Sequence, residues 1–305
     1  MFKGRLERSL VAIAALIGVG AALTGCGKAS TSSNGHKIDV VTSTDFYGGA
    51  AKAVLDNKGT VHSIINKPSV DPHAYEPTPA VAKQVHAADV TVANGIGYDS
   101  WMTKLTANSK ATNIKVGDDL MGKRDGDNPH IWYNPATMPK LANQLVATFA
   151  KAQPKNKAYF EKNAQTYIKS LKNIQTEITT IKQLAQKLPN KRVYVSEPVF
   201  DYALEATGFK VANKSFEEAI ENESDPSPKS IAAMQAGIKH HKVAFFVNNS
   251  QVTSKTTQNI MNLAKANHVP VLQVTETLPA GKNYDQWMMS QYRQLTKILK
   301  TEVGK

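Results

Sequence analysis

The stretch "YIKSLKNIQTEITTIKQLAQKL", Tyr167 to Leu188, decides the architecture. Its apolar residues Tyr167, Leu171, Ile174, Ile178, Ile181, Leu184 and Leu188 recur at steps of three and four, the spacing of one helix face. Neither glycine nor proline interrupts the chain from Lys155 to Leu188, so one long amphipathic helix is expected there. At 1.5 Å per residue it would extend roughly 50 Å, the height of two stacked small domains. A coiled-coil segment is the alternative, but the stripe fades too soon for sustained heptads.

Short β-rich runs lie on both sides of this helix. Before it, "IDVVTS" (38–43), "TVHSIIN" (60–66), "DVTVAN" (89–94) and "NIKV" (113–116) read as strands, with helices at 46–57, 78–87 and 98–108. After it, "RVYVS" (192–196), "GFKVA" (208–212), "KVAFFVN" (242–248) and "VPVLQV" (269–274) restart the alternation. Strands alternating with helices argue for parallel sheets with right-handed crossovers. The pattern occurs twice. The expected fold class is therefore α/β: two Rossmann-like lobes, 38–150 and 191–305, joined by one long rigid helix within 151–190. Lobes joined by a stiff helix should hinge little.

The N-terminus speaks to location. Lys3, Arg5 and Arg8 precede the apolar run "LVAIAALIGVGAAL" (10–23), which is short for a membrane span and has the layout of a secretory signal. It ends in "LTGC", whose small residues before Cys26 resemble the lipobox of bacterial lipoproteins. Residues 1–25 are expected to be removed, leaving Cys26 as a lipid-modified N-terminus on the extracytoplasmic face of the cell membrane. Residues 27–37 read as a flexible Ser/Gly linker after it. Cys26 is the only cysteine, so no internal disulfide can form and stability must come from the core.

The 305 residues carry a formal charge of +12, which falls to +10 once the leader's three basic residues and Glu7 are gone. An exported chain rarely meets nucleic acid, and the lysines are spread over helices without an arginine-rich or aromatic-interleaved patch. Attraction to an anionic envelope surface accounts for the excess.

In open α/β sheets, ligand sites gather where loops leave the carboxyl ends of strands. Four polar residues fit. His73, in "DPHAYEPTP" (71–79), is held on a loop that Pro72, Pro77 and Pro79 keep out of helix and central strand. His130, in "DNPHIWYNP", lies on a proline-bounded loop after the strand at 113–116. Glu197 follows the strand at 192–196, and Glu276 follows the one at 269–274. Two imidazoles and two carboxylates, two from each lobe, make a nitrogen/oxygen set suited to a divalent first-row metal in the cleft between lobes. Read singly, each has a blander role: a hydrogen-bonding loop histidine, a helix-start carboxylate at Glu197, a solvated glutamate at 276.

"VDPHAYEPTP", "NGIGYDSWMTKL", "NPHIWYNP" and "SEPVFDYALEATGF", in this order, resemble the manganese/zinc-type solute-binding lipoproteins of bacterial ABC importers. The likeness runs from about residue 38 to the C-terminus. It implies that His73 and His130 are metal ligands. The third ligand, histidine or glutamate in the family, falls on Glu197, and the fourth, normally aspartate, on Glu276. The acidic stretch Phe216–Asp225 offers a rival such as Glu223 for that fourth place. Asn134 stands where the family's "WLDP" has a carboxylate able to orient a ligand. The resemblance further implies delivery of Mn²⁺ or Zn²⁺ to an ABC permease and its ATPase; a monomer is expected. An adhesin with a structural metal is the alternative.

A site closed by four protein ligands leaves no position for an activated water, and the chain has no HExxH helix, GxSxG elbow or P-loop. No enzymatic activity is expected. Free imidazole titrates near 6.5 and glutamate near 4.3, so protons should compete with metal first at His73 and His130.

Overall fold

The computed structural model describes residues 37–304. Cys26, the leader and all but the last residue of the linker lie outside the described residues.

The first lobe is built on β1 (Ile38–Thr44), β2 (Gly59–Ile65), β3 (Val90–Ala93) and β4 (Thr112–Lys115), ordered β2-β1-β3-β4. Every pairing is parallel, with Val40 opposite Val61 on one side and Val90 on the other. The second lobe repeats the plan with β5 (Arg192–Val195), β6 (Lys210–Val211), β7 (Phe246–Asn249) and β8 (Val271–Val274), ordered β6-β5-β7-β8. Central strands β1, β3 and β7 are almost wholly buried, so that even their polar residues Thr42, Thr91 and Asn248 are covered. In each sheet the first strand sits between the second and third, so the strand order reverses beside it, and the loops at the carboxyl ends there flank a crevice.

Helices α1 (Asp45–Leu55), α2 (Pro79–Ala87), α3 (Ser100–Thr106) and α4 (Thr137–Ala152) complete the first lobe. Helices α7 (Asp201–Thr207), α8 (Lys214–Glu221), α9 (Pro228–Lys239), α10 (Lys255–Ala266) and α11 (Tyr284–Val303) belong to the second half of the chain.

The long helix joins the lobes as two consecutive segments, α5 (Lys157–Ser170) and α6 (Lys172–Gln186). The Ser170 hydroxyl donates to the Tyr167 carbonyl at 2.7 Å, the acceptor that the Leu171 amide would use in a regular turn. The Leu171 N–H donates to Ile168 instead, one residue nearer, and tightens that single turn. Helix α5 packs on α1 and α4, whereas α6 packs on α11. The expected stripe is the buried one: Ile174, Ile178 and Ile181 are all in the core.

An aromatic seam crosses between the lobes. Phe46 meets Trp132 at 4.9 Å and Trp287 at 5.9 Å between ring centroids, and Tyr133 meets Phe200 at 5.1 Å. Tyr284 donates its hydroxyl to the Trp132 carbonyl at 2.6 Å, and Tyr133 donates to the Thr275 carbonyl. Large buried rings with satisfied hydroxyls make this contact apolar and specific together.

Candidate metal centre

His73 sits on the loop between β2 and α2. Its backbone N–H donates to Asp71 Oδ1 at 2.8 Å, and the neighbouring Pro72 carbonyl accepts the Trp101 indole N–H at 3.0 Å. The imidazole rests edge-on against Tyr98, 4.6 Å between ring centroids. Tyr98 is itself fixed by the turn after β3, where both Asp99 carboxylate oxygens accept backbone N–H groups, from Asn94 and Gly95. That turn needs Gly95: its φ is +77°, and a Cβ there would stand 2.0 Å from Asp118 Oδ2.

His130 is fully buried in the loop after β4. Its Nδ1 and its backbone N–H both meet Asn128 Oδ1, at 2.8 and 2.9 Å. The Asn128 amide nitrogen donates to the Pro198 carbonyl at 2.7 Å, which assigns the oxygen to the histidine side. An amide oxygen can only accept, so Nδ1 carries the proton and Nε2 keeps a lone pair. Nε2 is buried and has no hydrogen-bond partner. Asn134 does not orient this ring; its side chain caps the Ala136 amide. The orienting residue is Asn128.

Glu276 stands two residues beyond β8. Gln251 Oε1 accepts the backbone N–H groups of Glu276 and Thr277 at 2.7 and 2.9 Å, which fixes the turn. Glu276 Oε1 accepts the Tyr98 hydroxyl at 2.9 Å and lies 4.0 Å from His130 Nε2. One donor atom each from His73, His130 and Glu276 falls within 4.8 Å of the others. Glu197 is the remaining expected ligand. It lies on the wall of the same cavity, with its Oε2 accepting the Asn249 amide at 2.7 Å, outside the tight cluster. Glu223 also lines the cavity, from the exposed turn after α8.

Glu221, the last residue of α8, lies in the acidic stretch 216–225 that offered a rival carboxylate, but the sequence singled out Glu223 there. Its Oε1 lies 3.8 Å from His73 Nε2 and 3.9 Å from His130 Nε2. Glu217 and Glu221 are one turn apart on a helix whose Phe216 is fully buried, and it is that burial, seen only in the fold, that turns Glu221 inward.

The cavity measures about 390 Å³, and Asp71, Glu197, Glu221, Glu223 and Glu276 all line it, with no lysine or arginine among its walls. In a chain of net charge +12, that concentration of carboxylate selects a cation. Burial pushes Glu221 up to about 8 and Glu276 up to about 7, and their neighbouring carboxylates add to the shift. Burial also raises Glu197. The histidines move the other way. Burial lowers His73 and takes His130 well below its usual range. For Glu221 and Glu276 the order expected from free residues is reversed: desolvation disfavours both charged forms, so these two carboxyls keep their protons to higher pH than a free carboxyl while burial favours neutral imidazoles.

A family model described as zinc-uptake complex component A, periplasmic (ZnuA), matches residues 40–298. The chain belongs to this family. ZnuA-family chains are solute-binding proteins of importers, and this one is not an enzyme. Among its relatives is the manganese ABC transporter substrate-binding lipoprotein PsaA of Streptococcus pneumoniae, 27% identical over 270 residues, covering 82% of this chain and 83% of that one. The high-affinity zinc uptake system protein ZnuA of Bacillus subtilis is 26% identical over 259 residues, covering 77% and 79%. The fold is shared with the periplasmic zinc binding protein TroA of Treponema pallidum, with a TM-score of 0.70, 18% identity, and coverage of 86% of this chain and 99% of that one. It is also shared with a manganese-bound mutant of a periplasmic metal binding protein from Candidatus Liberibacter asiaticus, with a TM-score of 0.71, 20% identity, and coverage of 86% and 100%.

Proposed function

We propose that this chain captures Mn²⁺ or Zn²⁺ between its lobes with His73, His130, Glu197 and Glu276, and delivers the ion to a membrane permease powered by a separate ATPase. The observation that carries the reading is the convergence of two imidazoles and the Glu276 carboxylate within 4.8 Å, in a cavity lined by carboxylates. Neutral imidazole and carboxylate bind a dication without redox chemistry and neutralise its charge. One chain supplies the whole set, so a monomer suffices.

The relatives named as lipoproteins support a lipid on Cys26 that holds the chain at the extracytoplasmic face of the membrane. Among the described residues no helix is long and apolar enough to cross a membrane. The adhesin alternative has less behind it, because the relatives' names describe substrate-binding components of transporters.

Calorimetric titration of the metal-stripped protein tests the capture site. His73→Ala and His130→Ala should each weaken binding more than about tenfold, the usual loss on removing a ligand. His240→Ala, on an exposed helix end, should bind as the parent does. Equal affinities for all four proteins would remove the site. The anchor is checked separately, since Cys26→Ala should leave the membrane fraction with its metal affinity intact; a variant still membrane-bound after signal cleavage contradicts the lipid.

A further inference from the structure

We propose that Glu221 is an additional direct ligand of the captured ion and that it biases the site toward manganese over zinc. The inference rests on the metal-capture reading above and concerns a residue outside the set expected from sequence.

Glu221 Oε1 is buried and has no hydrogen-bond partner. It faces two imidazole nitrogens at 3.8 and 3.9 Å, one of which, His130 Nε2, is fully buried and equally unpartnered. Donors at roughly 2.1 Å from a tetrahedral ion stand about 3.4 Å apart, so these gaps are close to those a bound cation imposes. Polar atoms that face one another across gaps too long for a hydrogen bond forfeit the partners that water gave them. A shared cation supplies the missing partner to all of them.

The carboxylate is also held in position. Lys214, at the start of α8, reaches Asp201 at 2.5 Å and Glu217 at 2.7 Å, tying the helix to α7. Phe216 and Glu217 are buried, and one turn beyond Glu217 the helix brings Glu221 to the cavity. Glu197, by contrast, already gives one oxygen to Asn249.

With Glu221 added, the site offers two nitrogens and three carboxylates. Zinc in closed protein sites takes four donors in a tetrahedron. Manganese is harder, prefers oxygen and accepts more ligands. The fifth donor therefore contributes more to Mn²⁺ than to Zn²⁺.

The test is a chelator-competition titration of the full chain in detergent with MnCl₂ and with ZnCl₂, comparing the parent with Glu221→Gln. Manganese affinity should fall about tenfold or more and zinc affinity less than threefold, within the range expected for loss of one ligand. The metal-free variant should melt no lower than the parent, because glutamine keeps the shape and breaks no hydrogen bond of the buried Oε1. An unchanged ratio of manganese to zinc affinity overturns the proposal, whether both affinities hold or both fall together. The parent reading fails by a different sign: His130→Ala would then bind both metals as the parent does.

Discussion

His130 is gripped at one end of its ring and bare at the other, and that asymmetry is what a metal ligand needs. Asn128 fixes the tautomer, burial keeps the ring neutral, and Nε2 is left without a partner. Glu276 and Glu221 face the opposite situation, with pKa values raised to about 7 and about 8. Their folded values exceed the free value of 4.5, so the metal-free fold binds extra protons between about 4.5 and 8 and loses stability as pH rises through that window. The histidines, lowered in the fold, act the other way only below about 6.5. From pH 6.5 to 8 the carboxyl groups act alone at this site, and buried Glu217, raised to about 8 elsewhere on α8, adds to the same slope. The melting temperature of the metal-free protein should therefore fall from pH 6.5 to 8, while the stabilisation by added metal should grow, because metal displaces those protons. Thermal melts with and without MnCl₂ across that range check it; a metal-induced shift that stops growing above pH 6.5 contradicts it. His73 and His130 were legible in the sequence because prolines flank both and exclude regular structure. Glu221 was not, because a glutamate in an acidic run looks solvated until the burial of Phe216 shows which side of α8 faces inward.

The strands were readable because short stretches rich in valine and isoleucine, separated by helical stretches, carry strand propensity. The long helix was readable from its stripe, but the tight turn at Leu171 was not. It depends on one serine hydroxyl competing for one carbonyl, which no periodicity encodes. Helix α6 packs on α11, and its Ile181 is fully buried in the core. Ile181→Ala should lower the unfolding free energy by about 2–5 kcal/mol, the range for truncating a buried isoleucine. Urea unfolding of the metal-free protein measures this. A loss below about 1 kcal/mol would mean that the stripe of α6 does not carry core packing. Metal affinity should barely change, since Ile181 is not among the cavity-lining residues.

Across the whole molecule, two lobes of one topology meet with their loops facing, and an aromatic seam from Phe46 through Trp287 and from Tyr133 to Phe200 ties them behind the site. Such a contact, with a helix running between lobes, disfavours wide hinge opening, so capture depends on donors arranged before the ion arrives. The charge distribution agrees: a basic chain keeps an acidic cavity where those loops converge. The most direct measurement is an anomalous-difference map from crystals of the protein loaded with MnCl₂. The account predicts a single strong peak in the cavity, about 2.0–2.3 Å from His73 Nε2, His130 Nε2 and a Glu276 oxygen. A stoichiometric ion bound elsewhere, with these three side chains unliganded, would contradict it.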